Sequence, residues 1–177
     1  MAVNLFAIPK QAKCTQGALK RVFIAKYVKH LRSEIVVDDM ELVTIPETDF
    51  YEIDMEGDYT QSQNTQNGAD YFDQNIRVQV NEFYNKLNAS VLNKTEFRVL
   101  VETNNNMYLM FGLYNGMRSR LSNNSGGSKQ DFNGLELAFQ GKEIEMAYYV
   151  ANPAASGIDI IKTNGDFNND FSNDFLI

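Results

Sequence analysis

The sequence predicts a mainly β protein, an antiparallel β-sandwich or open barrel with one flanking α-helix. Three observations predict it. Residues 71–83, YFDQNIRVQVNEF, alternate apolar and polar positions over a length that suits one strand. Residues 133–150, NGLELAFQGKEIEMAYYV, alternate twice about a Gly-Lys step, as a hairpin would. A single stretch, EFYNKLNASVLNK, changes to a helical period, with Phe83, Leu87 and Val91 at i, i+4 and i+8 and Leu92 beside them. Together with the remaining segments this gives about eight or nine strands and one helix.

Each element follows in order. Residues 1–18 read as an N-terminal arm, 19–152 as the β-domain and 153–177 as an extended C-terminal arm. In GALKRVFIAKYVKH, Val22, Ile24 and Val28 share one parity and Phe23, Ala25 and Tyr27 the other, which suits a strand covered on both faces. EIVVDDMELVTI reads as two strands about a turn at Asp38-Asp39. FYEIDMEGDYTQS gives a further strand that ends at Gly57. The amide-rich TQSQNTQNGA reads either as an exposed hairpin tip or loop, or as a flap that orders against a neighbouring subunit. On the long strand Phe72, Ile76, Val78 and Val80 share the core face, with Gln74 the one polar interruption. Asp73, Asn75, Arg77 and Gln79 share the other, wet or interfacial face. Phe97, Val99 and Val101 form one hairpin arm and Met107, Leu109, Phe111 and Leu113 the other, joined by Asn104–Asn106. Asn115-Gly116 is a second turn, and SNNSGGSKQDFNG a Gly/Ser/Asn loop. Leu135, Leu137 and Phe139 then face one core. Gly141-Lys142 turns the chain, and Ile144, Met146, Tyr148 and Val150 return on the next strand. The closing segment repeats Asp-Phe at every fourth residue, and it reads as a solvated acidic tail or as an arm whose Phe167, Phe171 and Phe175 dock on another subunit.

Composition narrows the function classes. The 177 residues include 44% apolar residues, enough for a core that needs no staples. The net charge of −7 argues against a dedicated duplex-binding module, which would cluster Lys and Arg. One cysteine, Cys14, rules out an intrachain disulfide and reads as a small buried hydrophobe. No apolar run is long enough for a membrane helix, and the N-terminus carries no secretory pattern, so a cytosolic origin is expected.

Chemistry is sparse. The single histidine, His30, stands without a second histidine or a cysteine cluster, so no zinc site of ordinary spacing is expected. A dyad of His30 with a serine or with Cys14 has no elbow motif around it. Gly126-Gly127-Ser-Lys lacks the spacing of a phosphate-binding loop. Asp54, Glu56 and Asp58 read as solvated strand-end residues. DFNNDFSND lacks the glycine and terminal glutamate of a calcium loop. No catalytic residue, cofactor site or metal site is expected.

The order of segments resembles the tail-tube-like ring and tail structural proteins of crAss-like and related Bacteroidetes phages. The likeness spans about Cys14 to Val150. It rests on CTQGALKRVFIAKY, FYEIDMEGDYTQS, YFDQNIRVQVNEF, FRVLVETNNNMYLMFGLYNG and SGGSKQDFNGLELAFQGKEIEMAYYV; the DF-rich tail departs from it. The resemblance implies a non-enzymatic virion subunit in the tail or head-tail connector region. It implies a homo-oligomeric ring of roughly six-fold or twelve-fold symmetry, contacts with neighbouring tail, connector or ring proteins, and no membrane partner. DNA would be non-specific cargo passing an acidic channel wall. The inter-subunit residues expected are Gln63, Asn64, Thr65, Gln66, Asn75, Arg77, Gln79, Phe167, Phe171 and Phe175. The competing reading is a β-sandwich carbohydrate- or receptor-binding module, disfavoured because Trp is absent and most aromatics fall at core parity. A hydrolase using Asp54–Asp58 is a third and weaker reading.

Overall fold

The computed structural model of the protein describes residues 19–53, 56–66, 69–80, 95–124 and 134–161. They form twelve strands: β1 Leu19–Lys26, β2 Val36–Asp38, β3 Glu41–Thr44, β4 Thr48–Ile53, β5 Glu56–Gln66, β6 Ala69–Val80, β7 Glu96–Thr103, β8 Tyr108–Phe111, β9 Met117–Asn124, β10 Gly134–Glu143, β11 Tyr148–Val150 and β12 Ile158–Ile161. Among the described residues the only helical turns are short 3₁₀ turns at Arg32–Glu34 and Ala154–Ser156. The helix expected over 83–92 lies outside the described residues, as do Cys14, Phe167, Phe171 and Phe175.

The mainly β expectation holds, and its details change. The strands join into one mixed, curled half-barrel sheet in the order β2-β3-β11-β8-β7-β9-β10-β6-β5, with β1 pairing β4 and β7, and β12 pairing β4. The sheet is not wholly antiparallel, because β11 lies parallel to β3 and β12 parallel to β4. The β12 pairing carries the sheet beyond residue 152.

β7 explains the curl. One edge pairs with β1 along its whole length. The other edge is shared end to end, by β8 opposite Val99–Glu102 and by β9 opposite Glu96–Phe97. The chain between those two partners kinks at Gly112 and Gly116, both at positive φ. The sheet therefore diverges from β7 in two directions. Val22, Ile24, Val99, Val101 and Phe111 face one apolar cluster with Ile76, Val78, Leu137 and Phe139. Phe23, Leu100 and Met110 face a second cluster with Leu42, Phe50, Tyr148, Val150 and Ile158. β1 is covered on both faces, as its doubly apolar sequence predicts, but it ends at Lys26, and Val28 is exposed.

Two expected turns are strand residues. Gly57 does not end a strand: β4 stops at Ile53, and Gly57 pairs with Val78 inside β5. A Cβ there would lie 2.4 Å from the Arg77 carbonyl, so the glycine permits close backbone approach. Gly141-Lys142 likewise pairs with Gln74 and Asp73 inside β10. A Cβ on Gly141 would lie 2.9 Å from the Gly116 carbonyl. The chain reverses only after Glu143, leaving Ile144 and Met146 exposed, and β11 joins β8 instead of returning along β10. The amide-rich segment is the far end of a hairpin, as one of the two readings expected, and most of it is strand instead of loop. Gln61–Gln66 continues β5, paired as far as Gln66 with Ala69.

Candidate assembly surface

β5 and β6 make a hairpin paired in unbroken register from Glu56–Gln79 to Gln66–Ala69. Strand alternation then sorts its side chains. On β6, Ile76 and Val78 are fully buried and Arg77 and Gln79 are exposed. Gln74, the polar interruption, sits on the core face and is only 1% exposed. Its amide is satisfied at both ends: the Gly112 N–H donates to Oε1 at 3.0 Å, and Nε2 donates to the Glu145 carbonyl at 3.3 Å. Gln61 on β5 accepts the Ala147 N–H at 2.8 Å. These two amides tie the turn after β10 to the hairpin.

The expected inter-subunit residues divide between two faces. Asn75, Arg77 and Gln79 share the outer face with Asn64, while Gln63, opposite Phe72, and Thr65, opposite Asp70, have the core-side parity; Gln66 is described only as the backbone partner of Ala69. Asn64 Nδ2 donates to Asp73 at 2.7 Å, and Thr65 Oγ1 donates to Asp70 at 2.6 Å, so these polar side chains brace the far end of the hairpin.

The outer face is wider than the sequence suggests. β10 pairs with β6 and β9 with β10, which sets Arg120, Ala138 and Arg77 in one row and Arg118, Gln140 and Asn75 in the next. Arg118 pairs with Glu96 at 3.2 Å. Lys142 Nζ lies 4.5 Å from the Tyr71 ring centroid. An open trough of about 630 Å³ runs along this face between Asp73, Asn75, Arg118, Gln140 and Lys142. Sequence reasoning missed β9, and with it Arg118 and Arg120. The signal was present: Met117, Ser119 and Leu121 alternate with Arg118, Arg120 and Ser122. A turn signal before it and a Gly/Ser loop after it hid the strand.

A second polar cluster lies inside the fold. Arg98 is fully buried, its Nε donating to the Leu113 carbonyl at 3.1 Å and its guanidinium 4.9 Å from the Tyr27 ring centroid. The two terminal nitrogens have no hydrogen-bond partner among the described residues. Burial lowers its pKa, with Tyr27 and Glu143 opposing. Glu143 accepts the N–H groups of Tyr114 and Asn115 at 3.0 and 2.8 Å, and burial raises its pKa against those bonds and Arg98. The Tyr27 hydroxyl donates to the Tyr114 carbonyl. These contacts pin the kinked 112–116 turn.

His30 is part-buried, 3.9 Å from Glu34, its pKa lowered by burial and Arg98. No nucleophile is hydrogen-bonded to it among the described residues. Asp58 is exposed on β5, and Asp54 lies outside the described residues. Among the described residues no group of three or more His, Cys, Asp or Glu side chains could hold a metal ion. No helix there is long and apolar enough to cross a membrane. No protein-family model, curated protein or solved structure matches the chain.

Proposed function

We propose that the chain is a structural subunit of a tailed-phage virion, assembling into an oligomeric ring that lines a channel for DNA. The phage assignment comes from the order of segments in the sequence. The observation that carries the oligomer is the free edge of β5. Among the described residues this strand pairs with β6 alone and ends the sheet order, leaving one side of an 11-residue strand without a partner there. Monomeric β-proteins blunt such edges with charges, proline, bulges or short length. Here Tyr59–Gln66 holds no charge and no proline. Such an edge suits strand addition by a neighbour.

The finer architecture in this reading is a tail-tube-like sandwich whose strands join those of adjacent subunits. The net charge of −7 supports DNA as cargo, since a mostly acidic ring would repel a passing polyanion instead of holding it. The test is sedimentation velocity with negative-stain imaging of the purified chain and of its particle. A closed ring with a central opening is expected. A chain that stays monomeric at every concentration and is absent from the particle overturns the reading.

A further inference from the structure

Consecutive residues on a strand point to opposite faces, yet Lys20 and Arg21 reach the same side chain. The cause is a break in register. Leu19 pairs with Thr103 and Arg21 with Glu102, and Lys20 stands in the shift between them. A bulge of this kind re-aims a side chain and recurs beside active sites. Here it turns both cations onto Glu102 of β7. Lys20 Nζ donates to Glu102 Oε1 at 2.8 Å, and Arg21 Nε donates to Oε2.

The same Lys20 nitrogen reaches a third group, donating to Asn106 Oδ1 at 2.8 Å. The β7–β8 turn holds Asn106 in place. The residue sits at φ 58°, a conformation Asn tolerates, and its N–H donates to the Thr103 carbonyl at 2.9 Å. The Thr103 N–H donates to the Met107 carbonyl at 2.9 Å, and the Met107 N–H to Thr103 Oγ1 at 3.2 Å, which closes the turn. An amine, a carboxamide and a carboxylate are thereby fixed within hydrogen-bond reach.

That trio has a defined chemistry. A nucleophile in contact with a base, and a third group orienting the base, is the arrangement of covalent catalysis. Lys20 supplies the nucleophile, Glu102 the base and Arg21 the orienting group. The hydrogen bond to Oδ1 polarises the Asn106 carbonyl and keeps Nζ one bond from its carbon. Glu102 is 3% exposed; burial works against its charge, but the bonds of Lys20 and Arg21 outweigh burial and hold it ionised. Arg21 also faces Glu52 at 4.0 Å and the Tyr108 hydroxyl at 3.2 Å, and that hydroxyl reaches Glu102 at 3.3 Å.

We propose that Lys20 and Asn106 join in an intramolecular isopeptide bond, with Glu102 as the base. At rest Lys20 is an ammonium bound to both partners. Glu102 takes a proton from it, and the free amine attacks Asn106 Cγ. Nζ–Cγ forms and Cγ–Nδ2 breaks. Glu102 passes two protons in turn from the lysine nitrogen to the leaving nitrogen, which departs as ammonium, and the new amide keeps one N–H. The carboxylate is regenerated, so the step needs no co-reactant. Lys20 is 46% exposed, which gives the ammonium a way to water. The link spans 86 residues and ties β1 to the β7–β8 turn with a bond that denaturant does not break. It goes beyond the ring reading and does not depend on it.

Intact mass spectrometry of the purified chain, fresh and after days at neutral pH, tests it. The linked chain is lighter by one ammonia, and its tryptic digest holds a branched peptide joining Lys20 to Asn106. Lys20→Arg keeps the charge and Asn106→Gly keeps the positive φ; both should retain full mass. Glu102→Gln should link about a hundredfold to ten-thousandfold more slowly at neutral pH. Its residual rate should climb about tenfold per pH unit with the fraction of free amine. The wild-type rate should stay flat across neutral pH, because the carboxylate and the amine share one proton there. Circular dichroism shows which variants are folded, and Lys20→Arg with Asn106→Gly carries the test if Glu102→Gln is not.

A wild type that keeps its full mass throughout overturns the proposal. Loss of ammonia without the branched peptide, the mark of an asparagine that cyclises on its own backbone, overturns it too. A folded Glu102→Gln chain that links at the wild-type rate overturns the base and the mechanism with it.

Discussion

Glu102 gives the sharpest stability test. Its side chain is 3% exposed and binds two cations: Lys20 Nζ donates to Oε1 at 2.8 Å, and Arg21 donates to Oε2. The Tyr108 hydroxyl adds a longer bond at 3.3 Å. Glu102→Gln keeps the shape and one acceptor oxygen but removes the charge. A hydrogen bond to a charged group is worth about 1.5–3 kcal/mol. Lys20 and Arg21 are 46% and 32% exposed, so water takes them back and the loss stays below that of breaking a fully buried pair. The expected destabilisation is about 2 kcal/mol at neutral pH, read by urea denaturation.

The pH dependence supplies the check. Burial alone would raise the Glu102 pKa, but the bonds and charges of Lys20 and Arg21 outweigh it, and the pKa is lowered. The folded state therefore favours the ionised form. That stabilisation is full above the ordinary carboxylate pKa and is lost as pH falls through the lowered folded value. The gap between wild type and Glu102→Gln should close over that acidic range. A gap below about 0.5 kcal/mol at neutral pH, or one that persists unchanged into acid, refutes the reasoning.

Other outcomes follow from the same structure. Val78→Asp places a charge at a fully buried position on β6 and should leave no cooperative unfolding transition; a folded variant by circular dichroism overturns its placement. Gly116→Ala should destabilise by about 1–3 kcal/mol, because φ is +72° and the new Cβ would lie 2.8 Å from the Tyr27 ring; unchanged denaturation would show that the kink relaxes freely. Arg98→Met removes the bond to the Leu113 carbonyl and the cation that offsets buried Glu143, so it should destabilise by about 1–3 kcal/mol; unchanged urea denaturation would show that the guanidinium contributes nothing.

The sequence was most informative where one face is buried and one wet. β6 and the β7–β8 pair were readable because Ile76, Val78, Phe97, Val99 and Val101 fall at strict period two and reach full burial. Glycine misled. Gly57 and Gly141 look like turns in a string of letters, yet each sits in a strand where a neighbouring backbone comes too close for a side chain. Nothing local distinguishes those two uses. The β11 misassignment follows from Gly141, since a turn placed two residues early assigned Ile144 and Met146 to a core they do not enter. Of the candidate surface, Asn75, Arg77 and Gln79 were visible because they alternate with core residues. The arginine row was not, because Arg77 and Arg120 are 43 residues apart and meet only through Ala138 on a strand between them.

The parallel pairing of β12 with β4 has a consequence for the order of folding. Ile158 lies opposite Thr48, and β4 takes its other partner from β1. β4 must therefore wait for 110 further residues to be synthesised before its second edge is covered. Contacts of such sequence separation form late and slowly. A nascent chain that has already made β1 through β11 still offers the backbone of Thr48–Ile53 to any passing strand. The fold is closed only when Ile158–Ile161 arrives, which sets a delay between translation of the hairpin edge at β5 and the moment the subunit is fit to present it.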